Sequence, residues 1–168
     1  MINYKSAKKI ILKSKIKIND ESIESFKSLN RICASNIYSS VDYPSGDNAA
    51  FDGFAVNSKE TSKLNKNNFK KFKIIKTLAA GDNPKINKIK KYQTVSIMTG
   101  GLLPKYFDTI IPIEQIKFYP NDNNKKYILL NSKIKKDEYV RHIGSDYKKK
   151  DLIIKKGTLI KSSHILAF

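Results

Sequence analysis

The chain has 168 residues, 40% of them hydrophobic, and a formal net charge of +18. It is long enough to bury a core, as one domain or two small ones, and too apolar for a disordered tail. The single cysteine excludes an internal disulfide and a cysteine-rich metal site, and no apolar run suits a bilayer span or a secretory signal, so a cytoplasmic protein without a membrane association is expected.

In chain order, Ala7, Ile10, Ile11, Ser14 and Ile18 recur at helical intervals with lysines on the opposite face. This spacing predicts a short amphipathic helix over residues 3–17 with Asn3 as its N-cap. Residues 21–40 read as a strand over 23–26, a turn of helix over 29–32 and an extended run to Tyr38, with Cys33 as a small buried hydrophobe. Pro44-Ser45-Gly46-Asp47 is a strong break. Beyond it, strand signals recur at short spacing over 53–56, 72–78, 94–98, 109–118 and 127–131. Gly81-Asp82-Asn83-Pro84 separates two of these runs, and Pro120 to Asn124 reads as a hairpin loop. An extended piece and turn follow over Tyr139 to Ser145, then a turn at Lys155-Lys156-Gly157 and a helix start at Ser162-Ser163-His164, where His164 reads as a cap or surface residue.

The positive charge invites an anionic partner. Of 33 basic residues, however, only Arg31 and Arg141 are arginine, and the lysines are scattered among Ile and Asn as in proteins from genomes rich in A and T. Phe69 to Lys73 interleaves aromatics with lysines, which a half-buried strand start explains equally well. No recognition helix, stacking sheet or zinc finger is visible, so nucleic acid is not the expected partner.

Three polar turns could carry chemistry. Asp52-Gly53 follows a run from Asp47 and Asn48; it suits a tight turn, and its carboxylate could also bind a hard cation or move a proton. Thr99-Gly100-Gly101 ends an apolar strand, either as a glycine-relaxed strand end or as a hydroxyl beside backbone N–H groups suited to an anion. Arg141 to Asp146 offers a guanidinium for phosphate and a carboxylate for a cation, or simply a surface ion pair. The two histidines, His142 and His164, are too few for the familiar zinc patterns, and no P-loop, dinucleotide fingerprint or nucleophile elbow occurs.

These segments resemble the molybdopterin molybdenumtransferase family, which includes MoeA and the C-terminal part of gephyrin. DNAAFDGFAV, residues 47–56, is similar to the family's DNSAMDGYAV, with Ala49, Phe51 and Phe54 departing from it and Gly46 standing where Phe is frequent. Residues 97–114 are similar to IMTGAPLPEGADAVVPQE, with Gly101 for Ala and Leu102 for Pro. Residues 141–146 resemble the NVRRxGED turn, with Ser145 for Glu, and Leu29-Asn30-Arg31 resembles an LGR step with Asn30 for Gly. The closing residues follow the family's GxxLxxxGxxLxPxxIxLLA course.

The resemblance implies an α+β, mainly β fold: an elongated first domain built from residues 1–43 and 141–168, and an inserted β-rich, barrel-like second domain over 44–140. The chain would end before the family's third domain. It implies insertion of molybdate into adenylylated molybdopterin with Mg2+, a homodimer, and a separately encoded third domain or adenylyltransferase as partner. A fragment that only dimerises or binds a partner, and a basic RNA-associated protein, are the alternatives. The implied reaction residues are Asp52, Thr99 and Asp146; Asn48, Gly53, Gly100, Gly101 and Arg141 would contact substrate or anion, and Asp52 with Asp146 would hold the metal. Asp108 and Glu114 would be structural, and the missing hydroxyl at Ala49 would remove a site hydrogen bond.

Overall fold

The computed structural model describes residues 2–14 and 18–167. The chain divides into two compact units, Met1–Tyr38 with Leu152–Phe168, and Ser39–Asp151. The sequence breaks at 43/44 and 140/141 fall inside the second unit. There Tyr43 donates its N–H to the Tyr147 carbonyl at 2.8 Å, and their rings stack at 5.4 Å.

In the first unit, helix α1 spans Tyr4–Lys13. Asn3 caps it, its side chain accepting the Ser6 N–H at 2.9 Å, as its short carbonyl favours. The helix is shorter than the apolar pattern: Ser14 closes it in an extended conformation, Ile18 lies outside it, and residues 15–17 lie outside the described ones. The expected strand over 23–26 is instead loop leading into a 3-10 turn at Ser25–Lys27, and the expected helix over 29–32 is a turn. Asn30 explains the second difference. It adopts φ 62°, a left-handed conformation that ends a helix and that Asn tolerates better than other non-glycine residues. Past this turn, Ile32 bridges Leu159, and β1 (Ile37–Tyr38) pairs antiparallel with β10 (Leu152–Ile154). Cys33, Ile154 and Ile160 form the small core of this unit. Helix α2, Ser162–Ile165, starts where His164 Nδ1 accepts the Lys161 N–H at 3.1 Å, so His164 is a cap.

The second unit is built on a curled, open six-stranded sheet, half of a barrel. Its strands are β3 (Gly53–Val56), β4 (Lys70–Leu78), β5 (Gln93–Ile97), β6 (Thr109–Pro112), β7 (Lys117–Asn121) and β8 (Asn124–Leu130), in spatial order β6-β3-β5-β4-β8-β7. A separate pair joins β2 (Asn48–Ala49) to β9 (Val140–Arg141). The apolar run over 109–118 is broken in two. Pro112 has no N–H to continue a ladder, and the Ile113 N–H bonds the Asp52 carbonyl at 3.0 Å, turning the chain into a 3-10 turn at Ile113–Gln115. The hairpin is tighter than expected: only Asp122 and Asn123 lie between β7 and β8, and the Asn121 side chain accepts the N–H groups of Asn123 and Asn124.

Strand β3 is buried on both faces. Ala55 enters one core with Leu78, Val95, Ile97, Phe107 and Ile110, while Phe54 and Val56 enter a second with Phe72, Ile111 and Ile128, as the two-residue period of a strand requires. This double burial fixes the start of β3 and hence the position of Asp52.

Candidate functional site

Sheet register builds the site. β3 and β5 run antiparallel with Gly53 opposite Ile97, so the residue before β3 and the residues just after β5 lie at the same edge. They are Asp52 and Thr99. One carboxylate oxygen of Asp52, Oδ1, accepts both the backbone N–H and the hydroxyl of Thr99, each at 2.7 Å. These bonds, the backbone one first, lower the Asp52 pKa below its usual 3.8 and keep an exposed carboxylate ionised. Its other oxygen has no hydrogen-bond partner among the described residues.

Gly53 permits this approach. Its backbone lies so close to β6 that a Cβ would stand 2.1 Å from the Ile111 carbonyl oxygen. Gly100 has φ +79°, which lets the chain turn sharply after Thr99. The glycines do not offer their N–H groups to an anion, contrary to what the sequence suggested. Gly100 N–H donates to Ala49 O at 2.8 Å and Gly101 N–H to Met98 O at 2.8 Å, while Gly101 O accepts the Ala49 N–H at 3.0 Å. The Thr99 loop is thereby stitched to β2, and with the Thr99 N–H already on Asp52 none of the three donors is left over.

Asn48 and Ala49 are buried in that strand, at 8% and 1% exposure. Ala49 packs in the core, so its position is apolar and not a hydroxyl site in this chain. Asn48 Oδ1 is the one buried side-chain oxygen or nitrogen without a partner among the described residues, an acceptor in need of a donor.

The third turn arrives through β9, which places Arg141 opposite Asn48. Arg141 pairs with Asp146, and its guanidinium lies 5.9 Å from the centre of the Tyr43 ring. The structure therefore brings together Asp52 with Thr99, and Arg141 with Asp146. Asp146 is engaged by a cation of its own chain, and among the described residues no group of three or more His, Cys, Asp or Glu side chains is arranged to hold a metal ion. Asp108 is structural: it holds the first residue of the 3-10 turn Ser58–Thr61, which Asn57 caps, accepting the Ser58 N–H at 2.7 Å and its hydroxyl at 2.8 Å. Glu114 lies in the first turn of the Ile113–Gln115 element.

Sequence reasoning missed a clamp between the first and third turns. Asp47 Oδ1 accepts the Ile143 N–H at 2.9 Å and lies 3.3 Å from His142 Nδ1, whose Nε2 faces Asp137 Oδ1 at 4.0 Å. The opening Asp of the motif was the signal, since Asx side chains commonly bind loop N–H groups. It also missed Tyr139, whose ring meets that of Phe51 edge-on at 5.3 Å, next to Asp52. A cavity of about 610 Å³ lined by Asp47, Ile86, Leu102, Leu103 and Tyr106 lies in the same unit, but Asp52 and Thr99 do not line it.

Comparison with known proteins points one way. The family described as MoeA N-terminal region (domain I and II) matches residues 2–168. A protein of Methanocaldococcus jannaschii assigned to molybdopterin biosynthesis is 31% identical over 98% of this chain and 39% of its own length. The molybdopterin molybdenumtransferase of Bacillus subtilis is 28% identical over 79% of this chain and 30% of its own length. Among solved structures, a molybdopterin biosynthesis MoeA protein from Pyrococcus horikoshii superposes with a TM-score of 0.81 at 29% identity, covering 98% of this chain and 41% of that one. The chain thus spans well under half the length of these relatives.

Proposed function

Since this chain belongs to the MoeA N-terminal region family, domain I and II, we propose that it acts in molybdenum cofactor biosynthesis as one part of a molybdopterin molybdenumtransferase. The proposed reaction is insertion of molybdate into adenylylated molybdopterin. The observation that supports this best is Asp52, an exposed carboxylate held ionised and oriented by two hydrogen bonds from Thr99, with one oxygen left over.

Such a carboxylate suits a reaction between anions. It can orient a water or accept a proton, and it can anchor a cation that offsets the repulsion of two negative substrates. Magnesium fits here in a limited way. It is commonly held by one or two carboxylates while substrate phosphates and waters complete its shell, and Asp52 would supply one such carboxylate. When bound, the ion would neutralise charge on the phosphate and oxyanion groups. Asp146 would join it only by leaving Arg141.

Thr99 fixes the carboxylate plane, and the Gly100 and Gly101 bonds to β2 and to Met98 hold the Thr99 loop in place. Asn48 Oδ1 is buried out of a substrate's reach, so Asn48 would support the site from beneath and not touch the substrate. Arg141, freed from Asp146, would bind a phosphate oxygen. We place this activity in the cytoplasm, in a homodimer that works with a third domain, attached or separately encoded, and with an adenylyltransferase that supplies the adenylylated substrate. Among the described residues, no helix is long and apolar enough to cross a membrane.

A second reading, a dimerising or partner-binding piece without turnover, draws on α1. None of its residues is buried, and Tyr4, Ile11 and Leu12 are each at least 70% exposed. Molybdenum insertion assayed with the chain alone, and with the remaining C-terminal portion of a relative supplied in trans, separates the two readings. Turnover in the mixture supports the enzyme; association without turnover supports the second.

A further inference from the structure

One end of the six-stranded sheet carries a surface unrelated to Asp52. Strands β4, β8 and β7 are neighbours there, with β7 at the edge. Register and alternation sort their side chains. Phe72, Ile128 and Phe118 lie in one cross-strand row and face the second core. The rows on either side therefore face away from it: Lys71, Leu129 and Lys117 in one, Lys73, Tyr127 and Tyr119 in the other. Farther along β4, this opposite face is covered, because Ile75 packs against the first core. Over the start of β4 and over β7 it is open: Lys71, Lys73, Lys117 and Tyr119 are exposed, with Tyr127 and Leu129 of β8 half-buried between them.

This face is both cationic and aromatic. None of β4, β7 and β8 contains Asp or Glu, and among the described residues none of their lysines forms an ion pair. Tyr119 and Tyr127 meet edge-on, their planes inclined by 64° and ring centres 6.3 Å apart, and the Lys71 ammonium covers one face of the Tyr119 ring at 3.4 Å from its centre. Unpaired ammonium groups beside tyrosines on an uncovered sheet match a partner that presents anionic groups at regular intervals alongside flat apolar ones. An acidic peptide supplies only the charge, and a duplex hides its flat groups inside. Single-stranded nucleic acid supplies both, with phosphates for lysine and base faces for tyrosine.

We infer that the β4-β8-β7 face binds single-stranded nucleic acid, phosphates on Lys71, Lys73 and Lys117 and bases against Tyr119 and Tyr127. This activity is separate from molybdenum insertion and does not depend on it. Recognition is of the strand and not of its sequence, since the face offers stacking and point charges.

The test is fluorescence anisotropy of a labelled 12-nucleotide oligouridylate with the whole chain, over a range of salt. Binding is expected to weaken with a log–log slope of about −2, from roughly 0.7 per phosphate contact on a single strand. K73E combined with K117E should weaken it at least about tenfold, whereas the same charge change at Lys85 and Lys88 should leave it within about twofold. Tyr119→Leu with Tyr127→Leu should weaken it about tenfold while leaving the salt slope in place. Each variant is first shown to unfold at the wild-type temperature. Displacement by polyglutamate at the same charge concentration, equal losses from both lysine pairs, or unchanged affinity in the tyrosine double variant would each overturn the inference.

Discussion

Asp52 and Thr99 are joined at a single atom: Oδ1 of the carboxylate accepts both the N–H and the hydroxyl of Thr99, each at 2.7 Å. The antiparallel register of β3 and β5 puts them at one edge, and one of the two bonds comes from the backbone of residue 99 and not from its side chain.

A pH prediction follows from that pairing. The Asp52 carboxyl, followed by NMR, should titrate below 3.8, and Thr99→Ala should move it only part of the way back, because the backbone bond is the larger cause and remains. For stability the sign is that of a lowered carboxyl. Its contribution is present above the unfolded-state pKa and is lost as pH falls through the lower folded value.

Tyr106 gives the opposite shift. Its hydroxyl donates to Glu60, and that bond, then burial, then the Glu60 charge raise its pKa to about 12. Ultraviolet titration should find one tyrosine ionising near that value, and Glu60→Gln should bring it down toward 10. The contribution to stability is present below the unfolded-state value and is lost as pH rises through the folded one. A normal tyrosine titration in place of the shifted one would contradict the contact.

At Gly53 even one methyl group should be intolerable. With Ile111 O 2.1 Å from the position of the new Cβ, Gly53→Ala must separate β3 from β6, and a loss of about 3 kcal/mol or more is expected in urea unfolding. A change below about 1 kcal/mol would mean that the two strands are not so closely apposed.

Asn30 should behave as a glycine site. Asn30→Gly is expected to leave stability within about 0.5 kcal/mol, and Asn30→Val to cost about 1–2 kcal/mol, because a branched side chain strains φ 62°.

Much of the second unit was legible because its strands are short, apolar and punctuated. The start of β3 follows from the Asp-Gly pair, and β4 and β5 lie where the strand signals over 72–78 and 94–98 place them. The first unit was less so. The helix-like spacing over 29–32 lost to the left-handed Asn30, and the run over 109–118 hid a turn that only the Ile113 bond to Asp52 reveals. At the site, the motif residues were visible, but their partners were not. That the Gly100 N–H bonds Ala49 and that Asp47 bridges to Ile143 both depend on contacts between segments distant in sequence, whereas the Arg141–Asp146 pair, within one turn, is the ion pair the sequence already allowed.

The decisive measurement is molybdenum insertion by the chain supplemented with the C-terminal portion of a relative, compared between wild type and Asp52→Asn. The amide keeps the size of the side chain and removes the charge. Turnover in the wild-type mixture, reduced about a hundredfold or more in the variant with an unchanged unfolding temperature, is the predicted result. Equal turnover by the two proteins would contradict the role assigned to Asp52.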